Sequence, residues 1–148
     1  MLKDRLIGTW QLVSMVSLLP DGSKVHPFGE QLLGMLMYDG QGNMSVQLMR
    51  GDRAPFQSAD PMRSQGEEAK AALDGAAVYF GTYEVDEKTD VVSHHVQGSL
   101  FPNWIGTVQR RKAVLDGQQL FLRTDPLTLG GSHSVFVLEW RRLTPSST

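Results

Sequence analysis

Turn signals recur at short intervals along almost the whole chain, and the segments between them are rich in β-branched, aromatic, Leu and Met residues. Interruption this frequent leaves little room for long helices, and short strands at such spacing point to an all-β sandwich or barrel. The segments with strand character are Gly8–Leu19, Gly34–Tyr38, Asn43–Arg50, Val78–Val85, Val91–Ser99, Gly106–Leu115, Gln118–Thr124 and Ser134–Leu143. Eight strands suffice to close a barrel around one small ligand. Ser64–Leu73 differs, being rich in Ala, Glu and Gln, and predicts the one substantial helix, inserted at about residues 64–74. Ser64 and Glu67 have capping-box spacing, and Gly75 is placed to end the helix.

At 148 residues the chain has the size of one domain, so a single unit over 1–148 is expected, with Thr144–Thr148 as a frayed tail. A net charge of −2 with scattered basic residues lacks the electrostatic footprint of a nucleic-acid binder. With no cysteine, disulfides, thiolate nucleophiles and cysteine metal sites are excluded. Met1–Trp10 carries Lys3, Asp4 and Arg5 and lacks a secretory apolar run, and no stretch approaches a membrane span. These features predict a cytoplasmic protein.

Hairpin geometry then sorts residues by face. A turn at Asp116-Gly117 pairs Leu115 with Gln118, Ala113 with Leu120, Arg111 with Leu122 and Gln109 with Thr124. Leu115, Leu120, Leu122 and Ala113 share one face, which predicts that it points inward and takes Arg111 and Gln109 with it. A loop at Glu87–Asp90 pairs Val85 with Val92, Tyr83 with His94 and Gly81 with Val96. Tyr83 and His94 then face the interior, and His95 the outside. Asp39–Gly42 forms a further hairpin. In the first half, Leu36 and Tyr38 lie on one face and Met35 and Met37 on the other, which fits either a strand buried on both sides or a methionine-lined cavity.

Gly8-Thr9-Trp10 at the start and Leu138-Glu139-Trp140-Arg141-Arg142 at the end resemble the lipocalin and wider calycin pattern. That resemblance implies a structural pair in which Trp10 packs beneath an arginine of the last strand, Arg142 by parity with Trp140, with Arg141 the other candidate. Residues 34–38, 44–49, 81–86 and 94–104 are similar to the bacterial and fungal lipocalin-like domain proteins. The expected fold is therefore an all-β, single antiparallel lipocalin-like β-barrel of about 8–10 strands with one inserted α-helix. Related barrels carry apolar ligands, and some catalyse isomerisation or cyclisation. Fold alone does not choose between these roles.

Tyr83, His94, Gln109 and Arg111 form the polar constellation that strand pairing directs into the barrel, with Tyr38, Gln47, Trp104 and Trp140 as further ligand contacts. An interior guanidinium requires a carboxylate, acceptors, water or an anionic ligand. No metal is expected, because His94 and His95 project to opposite faces and no ligand cluster accompanies them. No cofactor is expected either. Gly130-Gly131 lacks the rest of a phosphate loop, no Gly-x-Ser-x-Gly elbow occurs, and Arg50-Gly-Asp reads as a solvated loop with a local ion pair.

Three functions compete. The first is binding of a small, largely apolar or amphipathic molecule with a polar or acidic end near Arg111 and His94. The second is a cofactor-independent isomerase or cyclase, in which His94 or Tyr83 moves a proton and Arg111 stabilises an enolate. The third is a filled barrel acting through a homodimer or another protein.

Overall fold

The computed structural model describes residues 1–144, so the tail expected at the C-terminus lies outside the described residues from position 145 onward. In chain order the elements are α1 (Leu2–Leu6), β1 (Gly8–Leu18), β2 (Lys24–Val25), β3 (Leu32–Tyr38), β4 (Asn43–Arg50), α2 (Gly66–Asp74), β5 (Ala76–Asp86), β6 (Val91–Ser99), a 3-10 turn (Pro102–Trp104), β7 (Val108–Asp116), β8 (Gln119–Thr124), β9 (Leu127–Leu129) and β10 (Ser132–Arg142). The strands run in the order β2-β1-β3-β4-β5-β6-β7-β8-β10-β9, and β1 also pairs with β10. That last pairing closes eight of them into an antiparallel barrel, with β2 and β9 as short additions at its rim. Closure leaves the barrel strands without a free edge.

The core is the inward half of each strand. Trp10, Leu36, Tyr38, Val92, His94, Leu120, Phe136 and Trp140 are almost wholly buried. Alternation is reset once in β1, where the register shifts between Leu12 and Ser14. The extra residue, Val13, moves burial from Trp10 and Leu12 to Met15 and Ser17, as a β-bulge does. Met35 and Met37 are 40% and 39% exposed on the outer face. The β3 strand is thus neither covered on both sides nor a source of methionines for the interior.

The β5–β6 register is the one expected, with Tyr83 opposite His94 and Val85 opposite Val92. The β7–β8 register differs by two residues: Leu115 lies opposite Leu120, Ala113 opposite Leu122 and Arg111 opposite Thr124. The turn uses Gly117-Gln118, with Gly117 at φ 61°, so the glycine takes the first central position as a type II′ turn requires. A shift of two preserves the face of every side chain, because the strand period is two.

Gly81 lies beside a register shift in β5–β6, where a Cβ would sit 1.9 Å from the His95 carbonyl oxygen. Gly81→Ala is expected to lower stability by roughly 1–3 kcal/mol through overpacking. Urea unfolding reads this directly, and an unchanged midpoint would show that the bulge has slack.

Two helical features depart from expectation. The capping box of α2 is Gln65 with Glu68, one residue later than Ser64 with Glu67. Glu68 is selected because its carboxylate accepts both the Gln65 and the Gln57 backbone N–H. The short α1 was not expected; its first N–H groups, on Leu2 and Lys3, are accepted by Glu87 from the β5–β6 turn.

The connections 39–42, 87–90 and 117–118 are short and gather with α1 at one end of the barrel. The segments 19–31, 51–75, 100–107 and 125–131 are longer and surround the other end. At the closed end, Arg142 stacks 4.2 Å from the Trp10 ring, and Trp10 Nε1 donates to the Leu6 carbonyl at 2.9 Å. Arg142 also donates to the carbonyls of Ile7 and Arg5. Gly8 makes the approach feasible: at φ 140° a Cβ there would lie 2.7 Å from Arg142 Nη1. Arg141 points outward and is exposed.

Candidate functional site

A cavity of about 550 Å³ opens from the long-loop end into the barrel. Its walls are mainly apolar, including Met15, Leu36, Val46, Leu48, Leu122 and Phe136, and it reaches solvent beside the exposed Lys70–Asp74 ion pair. Trp104 sits at the mouth because the 3-10 turn folds it inward against Phe101 and Tyr79, edge-on at 5.4 and 6.1 Å between ring centroids. The polar wall consists chiefly of Tyr79, His94, Gln109, Arg111 and Thr124. Trp140 completes the lining from β10.

His94 is buried with both ring nitrogens engaged. Its Nε2 lies 2.6 Å from the Tyr38 hydroxyl and its Nδ1 2.7 Å from that of Tyr79. A neutral imidazole offers one donor and one acceptor, so one tyrosine donates and the other accepts. Tyr38 is sealed below the cavity, and its hydroxyl hydrogen is satisfied only if it donates to Nε2. Nδ1–H then donates to the Tyr79 oxygen, and the Tyr79 O–H is left to face the cavity. Burial, reinforced by the Arg111 charge, holds the His94 pKa well below the ordinary histidine value. Burial likewise raises the Tyr38 and Tyr79 hydroxyl pKa values, with Arg111 opposing. The imidazole is therefore neutral and the phenols protonated near neutral pH.

The guanidinium of Arg111 lines the cavity and donates to the Arg110 carbonyl at 2.9 Å. Among the described residues, the ion pairs between Lys or Arg and a carboxylate are Arg50–Asp52, Arg63–Asp60 and Lys70–Asp74, and none involves Arg111. The Arg50–Asp52 pair shows the Arg-Gly-Asp loop closing on itself, as its composition predicts.

Several expected contacts fall elsewhere. Gln47 is exposed on the outer face, because β4 buries Met44, Val46 and Leu48 and alternation turns Gln47 away. Tyr83 faces inward yet lies below the cavity, its ring tilted at 57° against that of Tyr38 with centroids 4.6 Å apart and its hydroxyl donating to the Asp39 carbonyl. That position removes it from proton transfer to anything in the cavity. His94 lines the cavity, but with both nitrogens bonded it has no free lone pair to act as a base. Tyr79 was missed as a site residue, although it shares parity with Tyr83 on β5 and so had a readable signal. Trp104 was read from the sequence, whereas Pro27 and Phe28, on the connection from β2 to β3, carried no such signal.

The model of the lipocalin-like domain family matches residues 7–143. The chain belongs to that family. This lipocalin-like domain is also 33% identical, over 107 residues, to the 4'-hydroxy-3'-methoxypropiophenone carrier protein ppsC of Aspergillus oryzae; the match covers 68% of this chain and 96% of the relative. A solved lipocalin-like protein from Bacteroides uniformis is 14% identical, with 93% of this chain and 98% of that one aligned at a TM-score of 0.48. Family membership accords with the Trp10–Arg142 stack and the closed barrel. Among the described residues of the lipocalin-like domain, no helix is long and apolar enough to cross a membrane.

Proposed function

We propose that this barrel binds a small, largely apolar molecule and holds its polar or acidic end against Arg111 and Tyr79. The observation that carries this reading is a guanidinium with no carboxylate partner among the described residues, set in a mostly apolar cavity. A cation so placed needs an acceptor, and an anionic or phenolic group on a ligand supplies one. The volume falls within the range of small-molecule sites. A relative named as a carrier of a hydroxylated, methoxylated aryl ketone supports the same class of cargo. Binding without conversion is favoured over isomerisation because His94 has no free nitrogen and Tyr83 is outside the cavity.

Thermal unfolding across fatty acids, isoprenoids and aryl ketones, with 4'-hydroxy-3'-methoxypropiophenone among them, tests the reading. A true ligand at a hundred times its Kd raises stability by about 2.7 kcal/mol. Arg111→Gln is expected to weaken binding of acidic or phenolic members roughly 10- to 100-fold, the range for a hydrogen bond to a charged group. A panel without a single shift, or equal affinity in the variant, would overturn the proposal.

A further inference from the structure

The polar wall of the cavity carries a cation and no carboxylate. Arg111 shares its face of β7 with the buried Ala113 and lies opposite the buried Thr124 on β8, so alternation turns its side chain toward the interior. Groups on three other strands feel its charge: it opposes the rise of the Tyr38 and Tyr79 pKa values and deepens the fall at His94. Its bond to the Arg110 carbonyl uses one of five N–H donors. Among the described residues that line the cavity, Asp74 is the sole carboxylate, and Lys70 holds it at 2.6 Å beside the mouth. The other titratable groups on this side are Tyr79 on β5 and His94 on β6, with Tyr38 on β3 behind them; the remaining lining strands contribute none. His94 has both nitrogens bonded, and the Tyr79 oxygen already accepts from it, so neither takes up a further proton near neutral pH.

We infer that a cargo with a weakly acidic O–H, such as a phenol conjugated to a carbonyl, is held as its anion and gives up its proton to solvent on entry. This rests on the proposed binding role and specifies the charge state of the cargo and the pH control of the site. The O–H bond breaks heterolytically, the electron pair stays on the ligand oxygen beside Arg111, and the proton leaves with water through the mouth. Two effects compete. Burial penalises the anion, whereas a cation within about 4–6 Å lowers an acid's pKa by roughly 1–3. The charge prevails because folding has already taken Arg111 partly out of water, and only the anion offsets that cost. A neutral phenol can donate to the Gln109 amide oxygen, whose Nε2 donates to Thr107 at 3.1 Å, but a charge-assisted bond to the guanidinium is about twice as strong. Affinity therefore rises with pH between the ionisation points of the bound and the free cargo, up to about tenfold per pH unit, and acidification releases the cargo.

The test uses 4'-hydroxypropiophenone, whose phenolate absorbs at longer wavelength than its phenol, and 4'-methoxypropiophenone, which cannot ionise. Absorbance titration of the saturated complex reads the ionisation of the bound phenol. It is expected about 1–3 pH units below that of the free compound, equivalent to roughly 10- to 1,000-fold tighter binding of the phenolate than of the phenol. In Arg111→Gln the burial remains without the charge, so the bound compound is expected to ionise at or above its free value. Independently of that variant's folding, the wild-type calorimetric Kd for the phenol should tighten as pH rises while that for the ether stays level, and only the phenol should release protons to the buffer. A bound phenol that ionises with the free compound or above it, an equal lowering in Arg111→Gln, or the same pH dependence for phenol and ether would overturn the inference while leaving the binding role intact. Failure of both compounds to bind the wild-type protein would overturn the binding role for aryl ketone cargo, and this inference with it.

Discussion

Trp10→Ala is expected to lower the unfolding free energy by roughly 3–5 kcal/mol, the range for truncating a buried aromatic side chain. Trp10 is fully buried, donates to the Leu6 carbonyl and carries the Arg142 guanidinium on its ring face. Its loss opens a large cavity at the closed end and leaves the Leu6 carbonyl and Arg142 without their partner. For a domain of this size each kcal/mol moves Tm by roughly 2–4 °C, so a drop on the order of 10 °C follows. Trp10→Phe keeps most of the packing and should cost about half as much. Arg142→Ala should cost roughly 1–2 kcal/mol, mainly the cation–π contact and its backbone hydrogen bonds. The double variant should fall short of the sum of the single effects, since the two residues share one interaction. Urea unfolding of the wild type and the four variants measures all of this; a Trp10→Ala midpoint close to the wild type would refute a structural role for the pair.

His94→Phe is expected to cost roughly 2–4 kcal/mol, because it strands the Tyr38 hydroxyl in a sealed site and removes one partner of Tyr79. The same residue sets a pH signature. The folded-state pKa of His94 is depressed, so as pH falls below about 6.5 the unfolded chain takes up this proton and the folded protein does not. Proton uptake by the unfolded state alone lowers stability, by at most about 1.4 kcal/mol per pH unit for one group. The contribution is complete above the unfolded-state value and is lost progressively as pH drops toward the folded-state pKa. Unfolding free energies of wild type and His94→Phe, measured between pH 7 and 5, should therefore converge as the solution becomes more acidic. Parallel curves would mean that His94 titrates identically in both states, and curves that diverge on acidification would mean that the folded protein carries the proton.

Much of the inward face was readable along the chain. Trp10, Tyr83, His94, Gln109, Arg111, Trp140 and Arg142 were assigned their faces from alternation, hairpin chemistry or the family resemblance, and the structure places them there. Register was less secure: the β7–β8 hairpin turns at Gly117-Gln118 and not at Asp116-Gly117, since a glycine with positive φ fits either turn type. The alternation of Met44, Val46 and Leu48 turns Gln47 outward, against its expected place among the ligand contacts. The α1 segment escaped notice because five residues carry too little periodicity, and its stability comes from Glu87, distant in sequence.

What the sequence determined by itself was local: strand positions, the face of each side chain, and the insertion of a helix between β4 and β5. These follow from period-two alternation and turn chemistry, which act over a few residues. What only the tertiary structure decided was convergence and depth. Tyr38 on β3 and His94 on β6 are separated in the sheet by β4 and β5, and curvature alone brings the hydroxyl to 2.6 Å from Nε2. Closure likewise decides that Tyr83 seals the floor, that Tyr79 and Arg111 face open space, and that the Trp140 N–H meets no protein acceptor among the described residues. Parity states on which side of a sheet a group lies, whereas the distance across the barrel depends on how far every other strand bends the sheet around it.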